Sequence, residues 1–143
     1  MPLKPQTILI VEDNEDDYEA TKRAFKKTNV INPIARVSSG QGALDFLNDR
    51  TKPTPGIILL DLNMPGLDGL MTLKSIKQNQ NLKTIPVVIL TTSDDERDIQ
   101  DCYRLGANTY IQKPVNFDGL IEAIKKLKEY WFEIALLPKE SPQ

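Results

Sequence analysis

Four bulky apolar residues in a row, Ile57-Ile58-Leu59-Leu60, run directly into Asp61 and then into Leu62-Asn63-Met64-Pro65-Gly66. An unbroken run rich in Ile and Leu, bounded by turn residues on both sides, predicts a strand buried on both faces. Such strands occur in parallel sheets covered by helices. Proline cannot donate to a ladder and glycine permits a turn, so Met64-Pro65-Gly66 stops the strand at once. Asp61 then sits at the C-terminal edge of a central strand, where open α/β sheets place their ligands. Taken alone, Asp61 reads equally well as the cap of a turn, and the other strands must decide.

The same pattern recurs along the chain. Thr7-Ile8-Leu9-Ile10-Val11 is a second buried strand and ends in Glu12-Asp13. Asn14-Glu15-Asp16-Asp17 opens a helix, with Asn14 as N-cap and acids favoured in the first turn by the helix dipole. Tyr18, Thr21, Ala24, Phe25 and Thr28 line one face of it, and Asn29 to Pro33 breaks it. Ile34-Ala35-Arg36-Val37 is a short strand, and Ser38-Ser39-Gly40-Gln41 caps a helix whose apolar side is Ala43, Leu44 and Leu47. Beyond the Asp61 strand, Leu70, Leu73 and Ile76 predict a helix from Gly69 to Lys77. Pro86 to Leu90 forms a fourth strand running into Thr91-Thr92. Ser93-Asp94-Asp95-Glu96 reads as a capping box for a helix that runs to Leu105, with Gly106 as its stop. Thr109-Tyr110-Ile111-Gln112 is a fifth strand, closed by Lys113-Pro114, and a last helix runs from near Asn116 to about Leu136. Five β-α units in succession predict one domain with a five-stranded, doubly wound parallel sheet.

Parallel strands share one C-terminal edge, which collects Glu12, Asp13, Asp61, Thr91 and Lys113. Three carboxylates on one rim repel each other unless a cation sits among them. All-oxygen ligands suit Mg2+, and the absence of histidine with a single cysteine argues against zinc. A solvated helix entrance is the plainer account of Glu12-Asp13. The 18 basic and 20 acidic residues leave no general basic field for nucleic acid. With no signal segment, no membrane-length apolar run and no disulfide framework, the chain reads as cytoplasmic, with neither nucleic acid nor membrane as a partner. Cys102, three residues after Ile99 on its helix, reads as a small packed hydrophobe.

At these residues the chain resembles the receiver domains of two-component response regulators. Val11-Glu12-Asp13-Asn14, Leu60 to Gly69, Val88 to Thr92, and Gly106 to Pro114 carry the resemblance, in order and with fitting spacing. It implies a flavodoxin-like fold with strand order 2-1-3-4-5. It further implies that Asp61 accepts a phosphoryl group from a sensor histidine kinase. Asp13, Asp61 and the Asn63 backbone carbonyl would hold Mg2+, with Glu12 assisting. Lys113 would contact the phosphoryl oxygens, and the Lys113–Pro114 bond would be cis. Thr91 would hydrogen-bond the phosphoryl group while Tyr110 turns inward, altering the face of the fourth helix, fifth strand and fifth helix. Such a chain is a phosphoryl acceptor with at most slow self-dephosphorylation, not an enzyme.

The expected domain spans 1–143, with a core over about 7–128, a last helix extended to about 136 and a short tail over 138–143. Leu120, Ile124, Leu127, Trp131 and Ile134 form an amphipathic stripe, yet Tyr130-Trp131-Phe132 cannot all face inward. This tail is similar to that of stand-alone receivers serving bacterial phytochrome-type histidine kinases, which implies a homodimer through the readout face and the C-terminal aromatics. A flavin protein of this fold needs a Ser/Thr/Gly-rich phosphate loop where Glu12 to Asp17 stand. A phosphatase with an aspartyl intermediate needs a second titratable Asp where Asn63 stands. The glycine and glutamate of a calcium loop are missing. A receiver-shaped interaction module that is never phosphorylated is the remaining alternative.

Overall fold

Each strand in the computed structural model alternates its side chains between two apolar layers, so neither sheet face is left to solvent. Residues 6–64, 66 and 68–134 are described, with side chains through 131. The order is β1 (Ile8–Val11), α1 (Glu15–Lys27), β2 (Ile34–Val37), α2 (Gly40–Asn48), β3 (Ile57–Leu60), α3 (Gly69–Gln78), β4 (Val87–Thr91), α4 (Glu96–Arg104), β5 (Thr109–Gln112) and α5 (Phe117–Lys128). A π-helical segment, Glu129–Ile134, continues α5. All strand pairs are parallel, and the sheet order is β2-β1-β3-β4-β5, as expected.

Leu9 and Val11 of β1, with Ile58 and Leu60 of β3, pack into one cluster with Ala43 of α2, Leu73 and Ile76 of α3 and Cys102 of α4. Ile8, Ile10, Ile57 and Leu59 point the other way, onto Ala24 and Phe25 of α1 and Leu120, Ile124 and Leu127 of α5. Period-two alternation across a doubly covered sheet produces this division. Fully burying a Leu or Ile contributes roughly 1.5–3 kcal/mol, so the central strands β1 and β3 anchor the fold. The C-terminal rim thus stands on a sheet packed on both faces.

Three helix starts follow the sequence closely. Asn14, Ser39 and Asn116 are the N-caps of α1, α2 and α5, and each side-chain oxygen accepts a backbone N–H three residues on. The start of α4 differs. Its N-cap is Asp95, whose carboxylate accepts from the Arg97 and Asp98 N–H groups, rather than Ser93. Ser93 instead donates its hydroxyl to Asp98 Oδ2 at 2.7 Å and accepts from the Asp95 N–H. A charged acceptor makes the stronger cap contact, so the helix begins two residues later.

The last helix also departs from a uniform α-helical stripe. Leu120, Ile124 and Leu127 are buried as expected, and Trp131 packs partly on the same cluster. From Glu129 the backbone widens to π-helical bonding, which alters the angular spacing that an α-helical period assumes. The side chains of Phe132 and Ile134, the helix end near Leu136 and the 138–143 tail lie outside the described residues. Among the described residues, no helix is long and apolar enough to cross a membrane.

Candidate functional site

Backbone ladders extend one residue past the strands and deliver three groups to the rim. The Glu12 N–H donates to Val37 O at 3.1 Å, Asp61 N–H to Val11 O at 3.1 Å, and Lys113 N–H to Thr91 O at 2.6 Å. Each residue is thereby fixed at its strand's exit while its side chain is free of the sheet. Glu12 and Asp61 are buried, whereas Asp13 is exposed. One carboxylate oxygen each from Glu12, Asp13 and Asp61 fall within 4.8 Å of one another.

Lys113 reaches into this cluster. Its Nζ lies 2.5 Å from Glu12 Oε1, 3.2 Å from Asp17 Oδ2 and 3.5 Å from Asp61 Oδ2. The Lys113 side chain is 10% exposed and those of Glu12 and Asp61 are 4% and 8%, so solvent screens the central contacts little. Burial raises the Glu12 carboxyl to about 7; the Lys113 hydrogen bond and charge pull it down, and Asp61 adds to the rise. For Lys113, burial alone favours the neutral amine, but the Glu12 bond and the charges of Asp61, Glu12 and Asp17 outweigh it and hold the ammonium above its ordinary value.

The Lys113–Pro114 bond is not cis: no described peptide bond is. That corrects the expectation drawn from the family resemblance. The trans isomer is intrinsically favoured by roughly 0.5–1 kcal/mol, and with it Lys113 still reaches all three carboxylates.

Thr91 is fully buried at the end of β4. Its hydroxyl oxygen accepts from Asn63 Nδ2 at 3.3 Å and from the Ser93 N–H at 3.5 Å. Asn63 in turn donates its N–H to Asp61 Oδ1 at 3.2 Å, so one residue ties the Asp61 carboxylate to the β4 exit. Tyr110 packs half-buried against the core, and its hydroxyl donates to Ser93 O at 2.8 Å. Thr91 and Tyr110 therefore meet through the loop that follows β4.

Two participants escape a reading by motif alone. Asp17 completes the Lys113 contacts from the first turn of α1. Arg36 on β2 brackets the acidic loop from beneath: Nε and Nη2 donate to Glu12 O at 3.2 and 3.1 Å, and Nη1 meets Glu15 Oε2 at 2.5 Å. Its guanidinium also lies 4.6 Å from the centre of the Tyr18 ring. No local pattern connects a β2 arginine to a β1 carbonyl.

Hard oxygen donors clustered at this range fit a divalent cation such as Mg2+, and the chain has no histidine to favour a softer metal. A separate groove of about 480 Å³ lies between β5 and α5, lined by Thr109, Ile111, Ala123, Leu127, Tyr130 and Trp131 among others. The Tyr130 and Trp131 rings stack edge to face, with centroids 5.1 Å apart.

Known proteins resemble this chain. Residues 8–125 match the response regulator receiver domain. The chain is 37% identical over 138 residues to the response regulator Rcp1 of Synechocystis sp., covering 94% of each chain. A Mn(2+)-bound crystal structure of Rcp1 superposes with a TM-score of 0.88, covering 94% of this chain and 100% of the other. The phosphorylated cyanobacterial phytochrome response regulator RcpA is 37% identical, with a TM-score of 0.87 and coverage of 94% and 99%. The bacteriophytochrome response regulator AtBRR is 38% identical, with a TM-score of 0.74 and coverage of 96% and 100%.

Proposed function

The chain belongs to the response regulator receiver family, and we propose that Asp61 accepts a phosphoryl group from the phosphohistidine of a sensor histidine kinase. The observation that carries this reading is the meeting of Glu12, Asp13 and Asp61 within 4.8 Å, with Lys113 in contact with two of them. An Asp61 oxygen attacks phosphorus, the O–P bond forms, the N–P bond breaks, and the departing imidazole takes up a proton. Asp13, Asp61 and the Asn63 carbonyl, with Glu12, would hold Mg2+, which when bound supplies charge neutralisation for the transferring group. Lys113 offers an ammonium at the same edge to the phosphoryl oxygens. Thr91 donates its hydroxyl to the new phosphate once it leaves Asn63, and Tyr110 carries that change to the α4–β5–α5 face.

The similarity to RcpA and AtBRR favours a kinase of the phytochrome type. Membership of the receiver family favours a cytoplasmic phosphoryl acceptor that signals through protein contacts, with at most slow self-dephosphorylation. The apolar groove between β5 and α5, beside Tyr130 and Trp131, supports a homodimer through the α4–β5–α5 face and the C-terminal aromatics. Incubation with an autophosphorylated, radiolabelled kinase of this type tests the function. Label should move to the parent chain and not to Asp61→Asn. Labelling of both, or of neither when the kinase serves its own regulator, contradicts the reading. A sedimentation mass of one chain, with and without beryllofluoride, removes the dimer.

A further inference from the structure

Lys113 contacts three carboxylates, but only two of them belong to the candidate metal cluster. Glu12 and Asp61 do; Asp17, 3.2 Å from Nζ, does not. Asp17 comes from the first turn of α1, where its position is held from both sides. Its N–H donates to the Asn14 cap at 2.9 Å, and its carbonyl accepts from the Thr21 hydroxyl at 3.0 Å. Thr21 is itself buried, so the turn is anchored in the core. The Asp17 side chain remains 48% exposed, unlike its two counterparts.

A divalent cation and the Lys113 ammonium compete for the same pair of buried carboxylates. Both are positive, so one must yield when Glu12 and Asp61 are taken. We propose that Asp17 is a positioning residue that holds Lys113 at the site edge, so that a divalent cation can occupy Glu12 and Asp61 without expelling the lysine. This rests on the magnesium reading above. Without Asp17, the ammonium falls back entirely on Glu12 and Asp61, and the cation must displace it. Asp17 thus favours metal entry although it is not a ligand, and it does so through Lys113.

A plain field effect of one nearby negative charge is the competing account, and a double-mutant cycle separates the two. Mg2+ affinity is measured by calorimetry on metal-free protein for the parent, Asp17→Asn, Lys113→Gln and the double variant, with Asp16→Asn as a charge-matched control from the same turn. Lys113→Met replaces Lys113→Gln if the latter does not fold. Asp17→Asn should weaken binding about fivefold or more in the parent and less than about twofold beside the Lys113 substitution, a coupling within the range for residues in contact. Asp16→Asn should change it less than about twofold, as expected of a screened surface charge. In phosphorylation by a small phosphodonor, Asp17→Asn should raise the half-saturating Mg2+ concentration.

Equal weakening in both Lys113 backgrounds, or by Asp16→Asn and Asp17→Asn alike, overturns the proposal. So does a fall in maximal rate with unshifted half-saturation. If the folded parent binds no Mg2+, the magnesium reading fails and takes this inference with it. If the parent binds Mg2+ and the cycle is additive, only the role of Asp17 fails.

Discussion

Replacing Lys113 by Met removes the ammonium that three carboxylates share and leaves Glu12 and Asp61 buried together. Breaking a buried ion pair by deleting one partner costs about 3–5 kcal/mol when the survivor stays charged. Glu12 has an escape, because it can take up a proton. In the parent its carboxyl titrates at about 7, against 4.5 for the ordinary group. A raised carboxyl favours the protonated fold, so stability is greatest at low pH and declines from about 4.5 until the folded group ionises near 7. Loss of Lys113 removes both influences that lower this value, so ionisation in the variant moves above 7. Below pH 7 the two proteins then lose stability in parallel. Above it the parent levels off while the variant keeps falling by about 1.4 kcal/mol per pH unit.

Between pH 6.5 and 8.5 the deficit of Lys113→Met should therefore widen, by at most about 2 kcal/mol. For a chain of this size that corresponds to a gap in Tm wider by at most about 10 °C. Urea denaturation at both pH values measures it directly, and Mg2+ at pH 8.5 should narrow it by neutralising the remaining carboxylates. A deficit of equal size at both pH values, or one that shrinks as pH rises, refutes the electrostatic account of the rim.

Two further perturbations probe the scaffold under the site. A Cβ added at Gly69 would meet Leu62 Cα at 2.5 Å and the Asp61 carbonyl carbon at 3.0 Å, both backbone atoms that cannot swing aside. Gly69→Ala should lower stability by about 1–3 kcal/mol or more and slow phosphorylation by shifting the Asp61 turn; an unchanged urea midpoint would sink this. Burial pushes the Cys102 thiol up to about 11 from 9.0, with Asp98 and Asp101 adding to the rise. At pH 8 its thiolate is scarcer by about 100-fold, so an aromatic disulfide reagent should react only after urea unfolding, and prompt reaction of the native protein would contradict the packing.

Much of this site was readable before any coordinate. Runs such as Ile57 to Leu60 are buried on both faces because the sheet is covered twice, and the polar residue that ends each run lands on the shared rim. Side-chain caps at Asn14, Ser39 and Asn116 were equally legible, since they are local contacts over three residues. The start of α4 was not, because Ser93 and Asp95 are both competent caps and the charged Asp95 carboxylate makes the stronger contact. Asp17 and Arg36 were missed for another reason. Their contacts cross from α1 to the end of β5 and from β2 to the end of β1, separations that no window along the chain spans. Nor does residue identity reveal that the Lys113–Pro114 bond is trans or that α5 loosens into a π-helix at Glu129.

The central claim is that Asp61 is a phosphoryl acceptor served by a divalent cation at its rim. Intact mass after incubation with a small phosphodonor tests it most directly, with and without Mg2+, for the parent and Asp61→Asn. The account predicts one phosphoryl addition to the parent in Mg2+, none without the metal, and none on Asp61→Asn under either condition. A folded parent that gains nothing, or an Asp61→Asn variant that gains as much as the parent, would contradict it.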